Sequence, residues 1–263
     1  MAKTTKPAKK ASAAKKSPSK NENDASSSPA LLPMFYNKVE VLNSTTHGAL
    51  RVKDGDSDVS FARGANSLML TAVEFAEAAH YYPVVFGSAE LEAIPFGITG
   101  HIGSQNNFVG EDGKWREGVY IPAYVRRYPF ILIENSENDN LALAIDPTSN
   151  MLSENEGKAL FVDGEGSDVA KGIMNLCVSY HREYQKTKEL CKQIDDMGIL
   201  IERAAEVKLP NGTKQRVTGF RIVDENAFNK LADKDFLKLR KSGALALIYC
   251  HIWSMRSWKN LLE

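Results

Sequence analysis

The chain is 263 residues long, 43% apolar and 25% charged, the balance of an ordinary soluble protein with room for one large domain or two small ones. Its formal charge is zero but unevenly placed: seven lysines against Glu22 and Asp24 give residues 1–30 a net of 7 − 2 = +5, so residues 31–263 carry 0 − 5 = −5. A mildly acidic folded part disfavours general nucleic-acid binding by it.

Cys177, Cys191 and Cys250 are odd in number and form no Cys-x-x-Cys pair, so reduced thiols are expected rather than a disulfide framework. The N-terminus lacks the apolar core of a secretory signal, and the longest apolar run, residues 244–253, is far too short to span a bilayer. A cytoplasmic location is the expectation.

Residues 1–30 repeat Lys, Ala, Ser and Pro with almost no large apolar side chain, a composition expected to be disordered. Such a tail is either a solubilising extension or a basic arm for nucleic acid, an anionic surface or an acidic partner. The Lys, Ala and Ser content also fits a transit peptide, except that Arg is absent there. Residues 34–42 and 47–52 read as strands, and the acidic loop 54–58 reads as a solvated turn, since no Glu closes it as a calcium loop requires. Thr71 with Glu74 forms a capping box for a helix over 72–81, Pro83 stops it, and 84–86 reads as a buried strand.

The Glu111-Asp112-Gly113-Lys114 turn links 108–109 to Trp115 as a hairpin. Phe130 to Ile133 and Leu141 to Ile145 form another, with the polar residues 135–140 between them. Between Pro122 and Pro129 the chain is expected to be extended and at a sheet edge or surface, because proline cannot donate to a ladder. Residues 169–197 repeat apolar side chains at three-and-four spacing, one long amphipathic helix ended by Gly198. Asn211-Gly212 joins two further strands, and helices open at Asp224, Asp233 and Ala244. The expected fold class is α+β: a β-rich antiparallel or barrel-like body over 34–165, then a helix-rich part over 168–263 containing the long helix and the Asn-Gly hairpin.

Several stretches together resemble the SapC-like family. They are Leu42-Asn43 with His47 to Arg51, Glu74-Phe75 with Tyr82 to Phe86, Tyr120 to Phe130 (Tyr-x-Pro-Ala-Tyr-x-Arg-Arg-Tyr-Pro-Phe), Gly219-Phe220 with Val223 to Glu225, and Ser242 to Tyr249 with His251. The match runs over about residues 34–262, within one domain of 31–263; Cys250 stands where Ala is expected. The resemblance implies a bacterial or phage-borne origin and a role connected with the cell surface or uptake. It supplies no established reaction and no catalytic residues.

The chemistry legible in the residues is sparse. Cys177 and His181 are one helical turn apart, but Cys177 lies on the apolar stripe, so neither a metal site nor a cofactor is expected. Nucleophile elbow, phosphate loop and dinucleotide fingerprint are all absent. The main candidate is a binding groove for a protein or peptide client built from Tyr120, Tyr124, Arg126, Arg127 and Tyr128, with Trp115 nearby; paired arginines beside aromatic rings suit a carboxylate or phosphate. The alternative is that the arginines pair with Glu134, Asp146 or another acid. His47 and Arg51, sharing one face of an extended strand, form a second anion site, and an enzyme would assemble its site from His47, Arg51, Arg126 and Arg127. His251, between apolar neighbours, reads as a core histidine with a satisfied ring.

Overall fold

The computed structural model describes residues 32–53, 58–90, 92–101, 103, 105–134, 141–208 and 212–261. The expectations for the tail, for residues 54–57 of the acidic loop, for the 135–140 connection and for Asn211 lie outside the described residues.

The fold is α+β with antiparallel sheets. Its first strand is shorter than expected: β1 covers only Glu40–Val41. The expected strand at His47 is instead a helical turn, α1 (Ser44–His47), because the Asn43 side chain accepts the Thr46 N–H at 2.8 Å and caps it. β2 (Arg51–Val52) and β3 (Ser67–Met69) follow. The predicted capped helix begins as a 3-10 turn over Ala72–Glu74 and continues as α2 (Phe75–Tyr81), with Glu74 reaching back to the Thr71 N–H at 2.7 Å.

β4 (Val84–Gly87) is buried throughout and pairs with β5 (Pro95–Ile98). After α3 (Ala123–Arg126), β6 (Phe130–Glu134) and β7 (Leu141–Ile145) pair in register from Phe130↔Ile145 to Glu134↔Leu141. β8 (Leu152–Ser153) and β9 (Lys158–Ala159) flank β2, and β10 (Phe161–Val162) folds back on β11 (Glu165–Gly166). Both residues of that turn, Asp163 and Gly164, have positive φ, the backbone a two-residue hairpin demands.

The long helix α4 (Asp168–Asp196) is capped by Ser167, whose hydroxyl accepts the Ala170 N–H. Cys177, Tyr180, Thr187, Leu190, Cys191 and Ile194 form its buried stripe. β12 (Leu200–Lys208) and β13 (Lys214–Val223) pair antiparallel, and the chain ends in α5 (Glu225–Phe228), α6 (Asp233–Ser242), α7 (Ala244–Ser254) and a 3-10 helix over Met255–Leu261.

Among the described residues the largest sheet is open, in the order β12-β13-β4-β5-β3, so the antiparallel form of the expected body holds and the barrel-like form does not. Helix α7 packs on β4 and β13, with α2, α4 and α6 against it. His251 makes that junction specific. β13 pairs with β4 at Phe220↔Gly87 and Arg221↔Phe86, and continuing this register sets Val223 opposite Val84. There the imidazole stands in for the ladder bond: its Nδ1 donates to the Val84 carbonyl at 2.6 Å, and its Nε2 accepts the Val223 N–H at 3.1 Å. Burial pushes the ring's pKa down to about 4, so it is neutral at pH 7. Arg221 ties β13 to α4 through a two-point contact with Asp195 and a bond to the Gly87 carbonyl.

Candidate functional site

The Tyr120-to-Pro129 box is organised by a carboxylate outside it. Glu74 is almost fully buried, and its Oε2 accepts from the Thr71 N–H and hydroxyl while its Oε1 accepts from the Tyr120 hydroxyl at 2.9 Å and the Ala123 N–H at 2.7 Å. Four donors around one carboxylate offset its removal from water. The Ala123 contact anchors the start of α3, which answers why the segment between the prolines is a helical turn rather than extended: Pro122, at φ −55° and ψ 143°, enters from the N-terminal side without a missed ladder bond. The Tyr120 carbonyl accepts from the hydroxyl of Tyr82, which lies in the core. Burial, then the Glu74 carboxylate, pushes the Tyr120 phenol up to about 12 against the opposing charge of Arg126.

Each arginine of the box is held by aromatic rings. Arg126 is exposed; its guanidinium carbon lies 5.6 Å from the Tyr120 ring centroid, its Nε donates to the Ile121 carbonyl and its Nη2 to the Tyr120 hydroxyl at 3.1 Å. Arg127 is half-buried and sits 4.4 Å from the centroids of both Tyr124 and Tyr180, in the angle of 64° between those rings. Its Nε is buried without a hydrogen-bond partner. Its charge opposes the upward push of burial on the phenols of Tyr36, Tyr124, Tyr180 and Tyr184 and on the Cys177 thiol, which burial raises to about 11.

Among the described residues no carboxylate forms an ion pair with Arg126 or Arg127. Asp146, one expected partner, instead accepts from the Asn37 N–H, the Tyr128 hydroxyl and Thr148. Two cations are thus held against aromatic surface, with no carboxylate among the described residues paired to either. A guanidinium group can take a carboxylate or phosphate through in-plane N–H donors.

The other sequence-derived candidates fall into different settings. Tyr124, Tyr128 and Trp115 are buried, so Tyr124 contributes a wall to Arg127 while Tyr128 packs against Tyr36 and Phe61, and Trp115 stacks on Phe108. His47 and Arg51 do not share a strand face, because His47 belongs to α1 and only Arg51 to β2. His47 faces Glu40 at 3.5 Å, and Arg51 donates to the Gly157 carbonyl. No hydrogen bond, ion pair or ring contact among the described residues joins either of them to Arg126 or Arg127. Residue order gave no sign that Glu74 and Tyr180 complete the box. Glu74 carried its capping signal and its place in the Glu74-Phe75 stretch of the family resemblance, neither of which ties it to the box, and Tyr180 only its place on the stripe of α4.

No group of three or more His, Cys, Asp and Glu among the described residues is placed to hold a metal, and no helix is long and apolar enough to cross a membrane. The SapC family model matches residues 42–261. The chain belongs to the SapC family. The matched span contains the Glu74 anchor, the arginine box, α4 and the His251 junction, so the SapC segment covers the site and the core beneath it. No curated protein and no solved structure matches the chain.

Proposed function

We propose that this SapC protein is a non-enzymatic binding protein that takes an anionic group of a peptide or protein client at the Arg126–Arg127 corner. The observation that supports it is the pair of ring-held guanidinium groups without a carboxylate partner among the described residues. A half-buried cation that lacks an internal counter-ion gains by accepting an external one, and its rigid setting lowers the ordering cost of doing so. The contact residues are Arg126, Arg127 and Tyr120, with Tyr124 and Tyr180 as supports. A client from surface-layer or uptake systems, met in the cytoplasm of a bacterial cell or a phage-infected one, belongs to the same proposal and rests on the family resemblance.

The test is binding of peptides with a free C-terminal carboxylate, compared with the same peptides amidated, to the wild type and to the double variant Arg126→Gln, Arg127→Gln. Carboxylate peptides should bind the wild type and lose about 2 kcal/mol or more, roughly thirtyfold in Kd, in the variant. Equal binding of amidated peptides, or of the variant, would contradict the reading.

A further inference from the structure

Away from the arginine box, α2 and the α7 to 3-10 segment enclose an open cleft of about 580 Å3, inside the range of roughly 300–1,000 Å3 typical of small-molecule sites. Its floor is low because α2 presents Ala76 and Ala79 there. One wall is Trp253, 59% exposed, which is unusual for the largest apolar side chain. The two sides of the cleft are pinned together: Ser257 donates to the Ala79 carbonyl at 2.8 Å, and the Asn260 amide donates to the carbonyls of His80 and Tyr81. The space is therefore preformed rather than opened by a ligand.

Two features specify what fits. Trp253 ends a row of rings that runs from Phe236 through buried Phe228 and Tyr249, with centroid spacings of 6.0 Å, 5.8 Å and 6.2 Å and the last two planes only 31° apart. Among the described residues no ring continues the row beyond Trp253, so an incoming planar ring is its natural next member. The second feature is charge. Arg256 and Lys259 line the cleft three residues apart on a 3-10 helix, a spacing that eclipses their side chains on one face. Among the described residues the lining contains no Asp or Glu and neither cation forms an ion pair.

We propose that this cleft binds a small planar aromatic carboxylate, its ring stacked on Trp253 and its carboxylate taken by Arg256 and Lys259. The experiment is calorimetric titration of the full chain with 2-naphthoate, with neutral 2-naphthylmethanol and aliphatic octanoate as parallel arms. Saturable 2-naphthoate binding is expected, weakened about tenfold by Trp253→Ala. The pair Arg256→Gln, Lys259→Gln should weaken 2-naphthoate by a similar factor while leaving 2-naphthylmethanol unchanged. All three positions are solvent-facing or at the rim, and unchanged thermal unfolding of the variants verifies that the fold is intact. The variant Arg126→Gln, Arg127→Gln should bind 2-naphthoate like the wild type, which separates this site from the client site. No saturation by about 1 mM, equal affinity in Trp253→Ala, or octanoate binding as tight as 2-naphthoate would overturn the proposal.

Discussion

Replacing His251 with Gln should remove an acid-dependent term from the stability of the protein. In the folded chain the imidazole is almost fully buried and neutral, giving one hydrogen bond to Val84 and taking one from Val223. Its pKa falls from the ordinary value of about 6.5 in the unfolded chain to about 4 in the folded one. The unfolded chain therefore binds the proton first, and the stability contributed by this depressed pKa is present above pH 6.5, declines as the pH falls through that value, and is gone below pH 4.

From pH 7.5 to pH 5 the loss works out at about 2 kcal/mol, and it approaches about 3 kcal/mol at more acid pH. Urea unfolding of wild type and His251→Gln across pH 5–7.5 reads this as a difference in slope, in which the titration of exposed carboxylates and of His101, also lowered by burial, cancels. An NMR titration of the wild-type imidazole measures the same quantity without the variant. Parallel stability profiles, or an imidazole that titrates near 6.5, would refute the reasoning.

Two further substitutions probe the packing that holds the site. Glu74→Ala strands the Thr71 and Ala123 N–H groups, and at about 1–3 kcal/mol for each of the two orphaned donors the loss should total about 2–6 kcal/mol in urea unfolding; a loss below about 1 kcal/mol would contradict the anchoring role. Gly243, between α6 and α7, has φ +92° with nothing within 4 Å of an added Cβ, so Gly243→Ala should cost only the left-handed strain, about 1 kcal/mol, and a loss several times larger would show crowding there instead.

The sequence carried the parts of this fold that repeat. Helix α4 was legible because its apolar side chains recur over eight turns, and β12 and β13 because each is a run of nine or ten residues. The short pieces were illegible for the same reason. Four residues of α1 or α3 show no period, and the deciding contacts are the local Asn43 cap in one case and the distant Glu74 carboxylate in the other. Paired prolines around Arg126 and Arg127 read as an extended segment, whereas Pro122 opens a helical turn without sacrificing a hydrogen bond. The arginines themselves were identifiable from residue type, but what holds them was not. Tyr180 reaches Arg127 from the middle of α4, a contact set by tertiary packing alone.

Recognition of a client by the two ring-held arginines is open to a decisive measurement. Affinity capture from the native host, with wild-type protein beside an Arg126→Ala, Arg127→Ala variant of equal thermal stability, tests it most directly. The expected result is a partner that the wild type retains and the double variant loses. The same partners on both proteins, or none on the wild type, would contradict it.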